Sequence, residues 1–110
     1  MWEEFYKKKT WRRMTIQYIN KELGIGLEIL YLINTNKFQV GTFSTKGGPR
    51  RFPILDHNKY VGEDIIYTNE HFKLREFNTE EEAMRYTKGL MGDEGRLKEE
   101  MALQEIRGNY

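Results

Sequence analysis

Apolar and polar residues alternate from Arg12 to Asn20 (RRMTIQYIN), with Met14, Ile16 and Tyr18 on one side and mostly polar groups on the other. A period of two, with β-branched and aromatic residues, predicts a half-buried strand. Trp11, Met14, Tyr18 and Leu23 also fit helical spacing, so a helix ending at Gly24 is the competing reading of residues 9–23. Gly26 to Ile33 (GLEILYLI) is apolar at nearly every position, the pattern of a strand covered on both faces. Asn34-Thr35-Asn36-Lys37 has turn chemistry, because Asn tolerates left-handed backbone. Phe38 to Ser44 (FQVGTFS) then returns as the second strand of a hairpin, with Phe38 and Val40 inward.

The middle of the chain is less regular. Thr45 to Arg51 (TKGGPRR) holds two glycines and a proline and reads as a mobile basic loop. Pro53 points to an edge or irregular segment through Leu55, and Asp56-His57-Asn58 to a turn. Asp64 to Thr68 and His71 to Phe77 read as two strands separated by a turn at Asn69-Glu70. The strongest local signal follows: Thr79-Glu80-Glu81-Glu82 is a capping box, with three carboxylates at the positive end of a helix. That helix runs to about Met91 with Ala83, Met84, Tyr86 and Leu90 inward, and Gly92 ends it. A second helix, Asp93 to Arg107, has a thin apolar stripe of Leu97, Met101 and Gln104, with Leu103 and Ile106 beside it. It is marginal alone and must dock on something, so residues 93–110 are either part of the domain or a separate, partner-docked element. Strands followed by helices predict an α+β fold, a mostly antiparallel sheet of four or five strands with one or two C-terminal helices.

Length adds that 110 residues make one domain, able to bury a core without staples. There are no cysteines, which removes disulfides, thiolate metal sites and a cysteine nucleophile. The first residues lack the apolar run of a signal peptide, and the longest apolar stretch, Ile29 to Ile33, cannot span a bilayer. A cytoplasmic protein without membrane contact is the natural reading. Net charge is +1, but residues 1–51 hold ten Lys/Arg against four Asp/Glu, and residues 52–110 eight against thirteen. Either the two halves neutralise each other in the fold, or one face is basic and meets an anionic partner.

No catalytic, cofactor or metal motif is legible. Lys46 precedes its glycines, whereas a phosphate loop needs lysine after them, and Gly24-Ile25-Gly26 leads into a strand rather than a helix. His57 and His71 read as turn residues with no spacing to a shared metal. Ser44, the only serine, lacks the glycine-flanked elbow of a nucleophile. Paired carboxylates need no fixed spacing, and Glu80 to Glu82 are better explained by capping.

Basic groups do stand among aromatic ones. Trp11, Arg12 and Arg13 follow three lysines, and Lys46, Arg50 and Arg51 lie beside Phe43 and Phe52. Cations for phosphates and rings for bases are what single-stranded nucleic acid requires. A pI of 7.9 and the lack of any RNP-like aromatic pattern weigh against it. The leading expectation is a non-catalytic module, a regulator or inhibitor of another protein, with nucleic-acid binding as the alternative. The candidate binding residues are Lys46, Arg50, Arg51, Trp11, Arg12 and Arg13. A homodimer through the C-terminal helices is a further expectation, and no cofactor is implied. In its small size and its Lys-, Glu-, Asn- and Tyr-rich composition the chain resembles accessory proteins of bacterial phages, a likeness of style without a specific motif.

Overall fold

A computed structural model describes residues 1–108, with side chains through Gln104. Strands β1 (Glu3–Lys9), β2 (Arg13–Asn20), β3 (Ile25–Leu32), β4 (Lys37–Ser44) and β7 (Phe72–Phe77) form one antiparallel sheet in the order β1-β2-β3-β4-β7. Strands β5 (Arg50–Asp56) and β6 (Lys59–Ile66) form a separate antiparallel hairpin. Helices α1 (Glu80–Met91) and α2 (Glu94–Gly108) close the chain, so the fold is α+β. No helix among the described residues is long and apolar enough to cross a membrane.

Strand pairing decides between the two readings of residues 9–23. Met14, Ile16 and Tyr18 lie opposite Tyr31, Ile29 and Leu27, so both strands present one continuous apolar face. Thr15, Gln17 and Ile19, on the other face, are buried as well. A helix there would bury one stripe and leave the β3 edge unpaired; a strand buries both sides.

Two features depart from expectation. Strand β1 has no clear alternation (EEFYKKK), and a bulge between Glu4 and Tyr6 turns both Phe5 and Tyr6 partly inward. It is an edge strand, and lysines on an edge blunt further pairing, which hides it in the sequence. The two strands expected on either side of Asn69-Glu70 are present as the end of β6 and as β7, but they do not pair with each other. Strand β6 folds back on β5 instead, because His57 (φ 52°) and Asn58 (φ 68°) make a two-residue turn whose twist suits a hairpin. Strand β7 joins β4. The loop reading of Thr45 to Arg51 shrinks accordingly: Arg50 and Arg51 pair with Ile66 and Ile65 as the first residues of β5, leaving Thr45–Pro49 as the connection.

Each side of the sheet has its own core. Met14, Ile16, Leu27, Ile29, Val40 and Leu74 face the helices and meet Ala83, Tyr86, Leu90 and Leu97. Helix α1 begins as its sequence demands: Thr79 Oγ1 accepts from the Glu82 amide at 3.2 Å, and the Glu82 carboxylate accepts from the Thr79 hydroxyl. Helix α2 starts with Asp93 capping the Arg96 amide, then buries Leu97 completely and packs Met101 against the same cluster. Glu100 receives Arg75 of β7 at 3.1 Å. Leu103 stays exposed, and Ile106 lies outside the described side chains. On the opposite face Ile19, Phe43 and Tyr67 form a smaller cluster with Phe5.

Candidate functional site

The six basic and aromatic candidates do not gather in one place. Trp11 and Arg12 form the tip of the β1–β2 hairpin, where Thr10 bonds to Arg13 through both its amide and its hydroxyl. Trp11 is 71% exposed, and the Arg12 guanidinium stands 4.5 Å from the centre of its ring. Arg13 opens β2 and lines a cavity between the sheet and β6. Lys46 is exposed in the short connection, and Arg50 and Arg51 lie at the root of the β5–β6 hairpin. Arg51 donates to Glu63 across that hairpin at 3.2 Å.

The charge asymmetry of the sequence is partly resolved by contact between the halves. Lys8 reaches Asp64 at 3.5 Å and Lys9 reaches Glu80 at 2.8 Å. These pairs are exposed and contribute little each, but they neutralise cations that a polyanion would otherwise meet.

The β5–β6 hairpin is the unusual element. It is not part of the five-stranded sheet and approaches it mainly where β6 passes β1. Phe52, Leu55, Tyr60, Val61 and Ile65 are all exposed on it, Leu55 and Tyr60 to 60% each. The register pairs Arg51 with Ile65, Pro53 with Glu63 and Leu55 with Tyr60, so these six share the outer face. The inner face carries Asp64 and Ile66 against the sheet. Sequence reading missed this arm as a site. The apolar residues of both strands are visible in the sequence, but only the pairing shows that they stand outside the five-stranded sheet.

A second constellation joins the β6–β7 connection to the sheet. The Gln17 carboxamide donates to the Tyr67 carbonyl at 2.8 Å and to Glu28 at 2.6 Å, and accepts from the Tyr67 amide at 3.1 Å. His71 Nδ1 faces Glu28 at 3.3 Å and Nε2 faces the Tyr67 carbonyl at 3.1 Å. Both ring nitrogens therefore meet acceptors, an arrangement only the imidazolium satisfies. The Glu28 hydrogen bond raises the pKa of His71, against the lowering effect of burial. Phe43 stacks on the imidazole with ring centres 5.4 Å apart. His57, by contrast, sits at the tip of the arm beside Asp56. The two histidines thus serve different places, and no group of three or more His, Asp or Glu among the described residues could hold a metal ion.

Comparison of the chain with family models, with curated proteins and with solved structures gives no match.

Proposed function

We propose that the protein is a non-catalytic binding module, a regulator or inhibitor of another protein, and that it grips its partner with the β5–β6 arm. The observation that carries this reading is the concentration of five exposed large apolar side chains on one hairpin. A two-stranded hairpin is marginal in water, and an apolar one is stabilised by being covered. Tyr60 supplies rigid aromatic area on the outer face, and Arg50 and Arg51 stand at the root of the same arm, the residue types that dominate binding energy at protein interfaces. The turn residues His57 and Asn58 set the arm's twist without contributing apolar surface.

Catalysis has little support from the same geometry. The histidine that is oriented by an acid, His71, has both nitrogens engaged, and the other projects from the arm tip. The six candidates keep a role in this reading only through Arg50 and Arg51. Trp11 with its stacked Arg12 is the feature that favours single-stranded nucleic acid instead.

The experiment that separates the two compares Leu55→Ser/Tyr60→Ser with Trp11→Ala/Arg12→Ala. Partners crosslinked through a photoreactive side chain at position 61, exposed on the same arm and untouched by either variant, should be one defined protein, lost in the arm variant and kept in the tip variant. Oligonucleotide affinity that falls steeply with salt and vanishes in the tip variant would replace the protein reading with the nucleic-acid one.

A further inference from the structure

The joint between the arm and the sheet encloses a cavity of about 80 Å³. Strand alternation explains which side chains reach it. Tyr6, Lys8, Arg13 and Thr15 share the sheet face opposite the helices, with Lys8 directly across from Thr15 in the register. Asp64 closes the cavity from β6. The space is small and partly open to solvent, since Lys8, Thr10 and Arg13 in its lining are exposed, and it has room for an ion of phosphate size.

The lining is rich in donors. Arg13 has no carboxylate partner among the described residues, and Lys8 meets Asp64 at 3.5 Å, longer than a tight charge-assisted bond. Two cations against one carboxylate leave a local excess of one positive charge. Thr15 is only 4% exposed, yet its hydroxyl has no hydrogen-bond partner in the protein. A buried hydroxyl left unpaired is costly, so it is a group that a ligand would satisfy. The Thr10 hydroxyl is already engaged by Arg13's backbone and is unavailable. Burial, a hydrogen bond to Asp64 and the charge of that carboxylate push the Tyr6 pKa up to about 12, so the phenol proton is committed to Asp64 and helps to fix it in the wall of the cavity.

We propose that this cavity binds a phosphate-sized oxyanion that still carries a proton, with Arg13, Lys8 and Thr15 donating to its oxygens and Asp64 accepting from its hydroxyl. The carboxylate is the selective element. It accepts from hydrogen phosphate but repels sulfate, which has no proton to give at neutral pH. A phosphoryl group attached to a chain is mostly the proton-free dianion at neutral pH, so the same carboxylate disfavours it. Bound there, the ion ties β1 and β2 to β6 and braces the arm at its root.

The test is titration of the full chain at neutral pH and matched ionic strength, followed by calorimetry and by the amide resonances of residues 13–15 and 64. Inorganic phosphate should bind saturably, with sulfate and O-phosphoserine weaker by about tenfold or more, the effect of one lost or repelled hydrogen bond to a charged group. Arg13→Gln and Thr15→Val should each weaken phosphate by about tenfold. Thr15→Val, which preserves shape, should melt no lower than wild type without phosphate, so its effect is not a folding defect. Asp64→Asn should narrow the gap between phosphate and sulfate. Equal binding of sulfate to wild type, binding retained in both Arg13→Gln and Thr15→Val, phosphoserine as tight as phosphate, or no saturable binding would each overturn the assignment.

Discussion

His71 shows how a side chain acquires its role from residues far away in the sequence. Next to Glu70 it reads as a turn residue, but its acid is Glu28 of β3, brought close only by the crossing of the β6–β7 connection. No local pattern encodes that pairing. Its native pKa is raised, so the ion pair adds stability that is fully present below the ordinary histidine value of about 6.5 and is lost as pH rises through the higher native value. With the side chain 35% exposed, solvent screens the pair and the effect is modest. Denaturation midpoints of wild type and His71→Gln should differ most below pH of about 6 and converge as pH climbs above the native value. A difference that grows with pH would contradict the imidazolium clamp. Gly26 is a second residue whose reason is visible only in the fold. A Cβ there would stand 2.2 Å from the Phe43 ring, which lies over β3 and reaches His71 and Tyr67. Gly26→Ala should therefore destabilise by about 1–3 kcal/mol through overpacking, read from urea unfolding, although alanine suits a strand no worse than glycine.

Elements were legible where a local pattern and the tertiary environment agree. The β3–β4 hairpin and the capped helix α1 follow from apolar periodicity, the Asn-rich turn and the Thr79 capping box. Strand β1 was not legible, since an edge strand with a bulge has neither alternation nor an apolar run. The pairing of β5 with β6 was also hidden, because two glycines and a proline before Arg50 suggest a longer loop than the five residues that suffice. In helix α2 the thin stripe is read correctly at Leu97, which belongs to the core of the sheet. Leu97→Ala should cost about 2–5 kcal/mol, whereas Leu103→Ala, at an exposed position, should stay within about 0.5 kcal/mol. Thermal or urea melts of the two variants measure the contrast. Equal effects would mean that the helix does not dock as described.

At the scale of the whole molecule, two parts of unequal cohesion share one chain. The five-stranded sheet is covered by helices on one side and in part by the Tyr67 segment on the other, and its central strands bury both faces. The arm has one neighbour on its inner side and solvent on its outer side, with Leu55 and Tyr60 facing out. Apolar residues at its tip therefore contribute almost nothing to holding it in place while unbound, and it meets the sheet at the joint where Asp64 and Ile66 face β1 and β2, with Lys8 reaching Asp64. This division was invisible in the sequence, where the apolar residues of β5 and β6 look like those of any strand; only the topology shows that nothing in the described chain covers them. Local opening free energy follows buried contact, so amide exchange should rank accordingly. Amides of residues 50–66 should exchange at least about tenfold faster than those of β2, β3 and β4, and Lys8→Ala should accelerate the arm without altering the sheet. A partner that covers the arm should slow those same amides selectively, because the outer face has no other source of protection. Uniform protection across both parts would show that the arm is as firmly packed as the sheet, and the exposed apolar face would then lose its claim to be a docking surface.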